Sequence, residues 1–111
     1  MKEYQKQAER SCAKGPDFEL SDNEFMLIWL ALGLAGEVGE VVDYIKKGLL
    51  HQHGLDKGKL EEEIGDVLWY IANLCTKLDM SLSDVMERNV RKLRTRYPSG
   101  WSSADSKNRT V

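Results

Sequence analysis

From Ser21 onward the apolar residues recur three, four and seven positions apart, the spacing that lines one side of an α-helix turning about 100° per residue. No segment alternates as a half-buried strand does, and proline occurs only at positions 16 and 98, so the pattern predicts an all-α chain of four helices. The first covers roughly residues 2–13 and ends before Gly15-Pro16. A second starts after Ser21 and runs to about Lys47, with Gly48 as its stop. The third spans about Lys59 to Asp79 after the connector "GLLHQHGLDKG", and the fourth starts after Ser81 and stops near Tyr97-Pro98. Ser21 with Glu24, and Ser81 with Asp84, stand at the spacing of a helix N-cap and the acid that faces it.

The stripe of the second helix is Leu34, Val38, Val41, Val42 and Ile45; that of the third is Leu60, Ile64, Val67, Leu68, Ile71, Leu74, Cys75 and Leu78. Measured from Leu34, Glu37 falls about 60° and Glu40 about 120° to one side; measured from Leu60, Glu63 and Asp66 fall at the same offsets on the same flank. Two helices packed stripe to stripe as an antiparallel hairpin keep equivalent flanks together, and the short connector excludes parallel packing. Glu37 is then level with Asp66 and Glu40 with Glu63, so the four acids are expected to converge.

Clustered carboxylates repel one another unless a counter-charge is present. All the expected donors are hard oxygens, with no His or Cys among them, which points to Mg²⁺ or Mn²⁺ rather than Zn²⁺ or a di-iron centre. Gly33 and Gly36 on the same face leave room for a ligand bound to such an ion. A single E-x-x-E pair is common on solvated helices; two pairs matched in flank and height favour a metal site. Glu61 and Glu62 point elsewhere, and Asp43 is placed as an outer acid.

The fourth helix has the stripe Leu82, Val85, Met86, Val90 and Leu93, with Asn89 near its centre and Lys92 and Arg96 along one edge. Cations beside a metal-binding carboxylate cluster are what a polyphosphate requires. Arg88, Arg91 and Arg94 point away and suit surface acids instead. Tyr70, one turn beyond Asp66, is placed to stack on a base. Trp29 fits either that role or the core, while Trp69, opposite the apolar stripe, suits a subunit interface. His51 and His53 in the connector form a weak metal pair.

At 111 residues, with 31% charged and 41% hydrophobic residues, the chain reads as one domain over residues 1–98 with a flexible tail over 99–111. Its core is thin enough that oligomerisation would help. The net charge of −2 argues against a nucleic-acid polymer as partner. Cys12 and Cys75 are far apart and form no redox or metal motif, and nothing resembles a signal peptide, which suggests a reduced, cytoplasmic protein. The longest apolar run, Phe25 to Leu32, is far shorter than the roughly 20 residues of a membrane span, so no membrane partner is expected.

"ALGLAGEVGEVVDYIKKG", "LEEEIGDVLWYIANL" and "NVRKLRTRYPSG" together resemble the MazG-type all-α nucleoside triphosphate pyrophosphohydrolases over about residues 22–100. The family's E-x-x-E then E-x-x-D pattern is matched by Glu37, Glu40, Glu63 and Asp66. The resemblance implies a four-helix bundle-type domain, Mg²⁺ held by the four acids, and cleavage of a nucleoside triphosphate between its α and β phosphates, in a nucleotide house-cleaning role. It also implies that one carboxylate, Glu40 or Glu63 first, activates water, and that Lys46, Lys47, Asn89, Lys92 and Arg96 contact phosphate or sugar. The family's assembly implies a homodimer, or two dimers paired as a tetramer. A catalytically silent nucleotide-binding module and a plain helical oligomerisation domain are the competing readings; the presence of all four acids favours the enzyme.

Overall fold

The computed structural model describes residues 2–101 and consists there of four helices: α1 Lys2–Ser11, α2 Asp22–Leu50, α3 Lys57–Lys77 and α4 Leu82–Arg96. The described residues contain no strand, only an isolated bridge between Pro98 and Gly100. The part of the expected flexible tail beyond Trp101 lies outside the described residues.

Local chemistry sets the helix ends. Ser21 Oγ accepts from the Glu24 amide at 3.1 Å, and the Glu24 carboxylate accepts from the Ser21 amide at 2.9 Å, so each satisfies a donor the first turn leaves open. That pairing also holds the Glu24 carboxyl below its ordinary value, through the backbone and then the hydroxyl of Ser21. Asp56 caps α3 by accepting from the Gly58 and Lys59 amides, which starts the helix two residues earlier than the apolar pattern indicates. At its other end Met80 donates to the Cys75 carbonyl at 2.8 Å and Asp79 to Thr76 at 3.2 Å, with Asp79 at φ 55°. This is the six-to-one and five-to-two pattern that closes a helix through one left-handed residue, here without glycine. Ser81 Oγ accepts from the Asp84 amide at the start of α4.

The expected stop at Gly48 is not observed: α2 continues to Leu50, with His51 as its C-cap. Gly48 serves close packing instead. A Cβ there would lie 2.5 Å from Leu55 Cδ2 and 2.6 Å from the Gly54 carbonyl oxygen, and the Gly54 amide donates to the Gly48 carbonyl at 2.9 Å. The connector thus folds back over the last turn of α2. The first helix is also shorter than expected, ending at Ser11.

α2 against α3 is the one extensive helix pairing among the described residues. Asn23, near the start of α2, donates to the Lys77 carbonyl at the end of α3. Tyr70 lies over Gly33, and the Tyr44 hydroxyl accepts from the Asp56 amide at 3.0 Å next to the connector. The pairing buries little: Leu30 and Cys75 are the buried apolar side chains. Neither α1 nor α4 packs broadly on this pair, so the chain by itself does not close a bundle. Its radius of gyration is 20.3 Å, against about 13 Å for a compact domain of this length. Ile28, Leu32, Val38, Val42, Leu49 and Leu50 all remain exposed along α2.

That composition bears on the length of the apolar stretch. An 18-residue stretch of α2 reaches a mean hydropathy of 1.8, long and apolar enough to cross a membrane by length and composition alone. The continuous run Phe25–Leu32 understates it because apolar residues resume after Gly33, Gly36 and Gly39, although Glu37 and Glu40 also stand among them.

Candidate metal and ligand site

The α2–α3 pairing brings three carboxylates together. Glu37 from α2 and Glu63 and Asp66 from α3 each offer an oxygen within 4.8 Å of the others. Glu63 is buried although ionisable, Glu37 is half-buried, and Asp66 is exposed. One Glu63 oxygen is 3.0 Å from Lys59 Nζ, one turn earlier on α3. The other, Oε2, is buried with no hydrogen-bond partner, as is Glu37 Oε2. Burial of a carboxylate oxygen without a donor is costly, and here two such atoms belong to one cluster.

The electrostatics agree with that geometry. Burial, followed by the charges of Glu40, Asp66 and Glu63, pushes the Glu37 carboxyl above its ordinary value. Lys59 is raised above its own, first by the hydrogen bond to Glu63 and then by the charges of Glu63, Glu62 and Glu40. The donors are all carboxylate oxygens and two are left without a proton donor, a set that fits a hard divalent cation.

Beside the cluster, Glu37, Asp66, Trp69 and Tyr70 line a 260 Å³ cleft. Tyr70 is fixed from three directions. Its ring meets Trp69 edge-on at 4.9 Å and Trp29 at 6.2 Å, and it occupies the space a Cβ at Gly33 would need. Gly33 therefore admits an aromatic ring rather than a ligand, whereas the space beside Gly36 is open.

Glu40 does not join the close trio and is exposed, although its charge reaches both Glu37 and Lys59. Lys47 is engaged with Asp43 at 2.9 Å and Lys46 with the same acid at 3.6 Å; the Lys47 contact comes first in holding the Asp43 carboxyl below its usual range. Asn89 is exposed rather than buried in a stripe, because α4 has no broad helix partner within the chain. It lies with Lys92 in a shallow hollow lined also by Arg88 and Arg91. Neither residue lines the carboxylate cleft, and neither does Arg96, which is half-buried near the end of α4. His51 and His53 meet edge-on at 5.8 Å, outside the acidic cluster.

Two contributors were not apparent from sequence reading. Trp69 borders the cleft through its contact with Tyr70, which no single-helix projection displays. Lys59 was legible in principle: a lysine four residues before a glutamate on one helix is an ion-pair spacing.

An all-helical protein with an acidic cluster held between two helices is the class that this geometry defines. The chain matches the MazG nucleotide pyrophosphohydrolase domain family over residues 27–101 and belongs to that family. It is 38% identical over 87 residues to the Gene 37 protein of Mycobacterium phage L5, covering 75% of this chain and 76% of the phage protein. It is 29% identical over 91 residues to the uncharacterized protein YpjD of Bacillus subtilis (strain 168), covering 76% of this chain and 78% of that one. No solved structure matches.

Proposed function

We propose that this protein is a Mg²⁺-dependent nucleoside triphosphate pyrophosphohydrolase, converting a ribo- or deoxynucleoside triphosphate to the monophosphate and pyrophosphate in nucleotide-pool house-cleaning. The observation that carries the reading is the convergence of Glu37, Glu63 and Asp66 with two buried, unpartnered carboxylate oxygens facing no protein donor. Family membership supplies the reaction class.

In this reading α2 and α3 form an antiparallel hairpin, with Glu37, Glu63 and Asp66 holding the ion and Glu40 completing the acidic set. When bound, Mg²⁺ neutralises charge on the phosphate oxygens and on the departing pyrophosphate. Glu63 gives one oxygen to Lys59, so Glu40, outside the trio and exposed, is the better placed base. Its carboxylate orients water and takes its proton as the water oxygen bonds to the α phosphorus. The bond from that phosphorus to the bridging oxygen breaks, and pyrophosphate leaves. Tyr70, held by its aromatic neighbours, forms a wall for the base. Asn89, Lys92 and Arg96 reach the phosphates from a second copy of the chain, and Lys47 exchanges Asp43 for phosphate.

The test is a panel of canonical and modified nucleoside triphosphates incubated with Mg²⁺, with product identification, for wild type, Glu40→Gln and Glu63→Gln. Monophosphate and pyrophosphate are expected from the wild type, with rates lower by roughly 100-fold or more in both variants. Nucleotide-dependent stabilisation without turnover would instead identify a silent binding module. No response to nucleotide or metal would leave a helical oligomerisation domain.

A further inference from the structure

Lys59 has no part in the E-x-x-E and E-x-x-D pattern, yet its ammonium makes direct contact with the acidic trio through Glu63. Its side chain is 49% exposed while that of Glu63 is 11% exposed, so a half-exposed lysine reaches toward a nearly covered glutamate side chain. Asymmetry at Glu63 is informative. Oε1 is 3.0 Å from Lys59 Nζ, whereas Oε2 has no partner and remains available to an ion. The acids whose charges act on Lys59 are Glu63, Glu62 and Glu40, two of them in the acidic set.

We propose that Lys59 is a resident counter-cation and positioning residue: its ammonium holds Glu63 in place when no divalent ion is bound, and the same charge lowers the affinity of the cluster for a free divalent ion. The inference rests on the metal-binding reading above. A positive charge a few ångströms from an ion site opposes a doubly charged ion twice as strongly as a singly charged one, with water screening much of the effect. The same charge offsets carboxylate repulsion in the metal-free protein. An ion arriving with a polyphosphate meets less opposition, because the ligand's negative charge compensates Lys59. The residue thereby biases the site toward an ion delivered with its anionic ligand.

The experiment compares full-length wild type, Lys59→Met, Lys59→Gln and Lys59→Arg by Mn²⁺ titration, read by electron paramagnetic resonance, and by thermal unfolding in EDTA. Methionine and glutamine keep a helix-compatible stem without the charge, and arginine retains it. Lys59→Met and Lys59→Gln are expected to bind free Mn²⁺ roughly threefold to tenfold more tightly and to unfold at lower temperature in EDTA. Lys59→Arg is expected to stay close to wild type in both. Lower stability with unchanged Mn²⁺ affinity would reduce Lys59 to an ordinary helix ion pair and overturn the proposal, as would weaker binding. Equal, measurable binding in all four proteins overturns this proposal alone, whereas no Mn²⁺ binding in any of them overturns the metal reading beneath it.

Discussion

At the scale of single residues, Glu37 carries the most direct consequence of the cluster. Burial and three neighbouring acids raise its carboxyl above the ordinary value of 4.5. A group raised on folding stabilises the folded chain when protonated in both states, and that contribution is lost as pH rises through its folded value. Ionisation of Glu37 among these like charges therefore works against the metal-free fold as pH rises. Glu37→Gln is expected to raise the unfolding temperature of the metal-free protein at pH 7, and the gain should shrink as pH falls toward 4.5. Thermal scans of both proteins across that interval check it; a gain that does not change with pH would show that repulsion is not its source. The sequence displayed this cluster because helix offsets place Glu37, Glu63 and Asp66 on facing flanks. It did not display the exclusion of Glu40 from the close trio, since angle around a helix fixes direction but not the reach or rotamer of a side chain. Nor did it show that Tyr70 fills the space beside Gly33, a tertiary contact between helices.

At the scale of elements, the N-terminus of α2 was readable because the Ser21–Glu24 capping box is chemistry local to four residues. Ends shaped by tertiary packing were not. Gly48 looked like a stop because glycine commonly follows a helix, but its missing side chain makes room for Leu55 and the Gly54 carbonyl. The start of α3 moved for the opposite reason, since the capping acid, Asp56, precedes the apolar stripe. The cap of α2 has a measurable consequence. Ser21→Ala removes the acceptor for the Glu24 amide and leaves the Glu24 carboxylate with half of a reciprocal pair. Urea denaturation at a fixed protein concentration should show a loss of about 1 kcal/mol with little change in the denaturant slope. A loss of no more than a few tenths would mean that water or a neighbouring group caps α2 as well as Ser21 does.

At the scale of the whole molecule, the governing fact is how little a single chain buries. Among the described residues Leu30 and Cys75 make up the buried apolar set, while Leu32, Val42, Leu49 and Leu50 on α2 are each more than half exposed. α1 is ten residues long with no buried residue, shorter than the roughly 12–15 residues at which an isolated helix becomes even marginally stable in water. Something must cover these surfaces. A bilayer would have to accommodate Glu37 and Glu40, which stand within the apolar stretch of α2, at a substantial cost per charge. A second copy would cover the apolar sides of α2 while leaving the carboxylate flank facing a cleft, which makes self-association the reading to test. The protein is accordingly expected to sediment as a dimer or larger even-numbered assembly without detergent, with an unfolding temperature that rises with protein concentration. Leu32→Lys, at a position 70% exposed in the single chain, should be nearly neutral if the chain works alone. If α2 forms the interface, the substitution buries an unpaired charge in each copy and should both dissociate the assembly and abolish the concentration dependence. Sedimentation equilibrium on the two proteins separates these outcomes, and a wild type that remains monomeric and well folded would show that α2 needs no second copy.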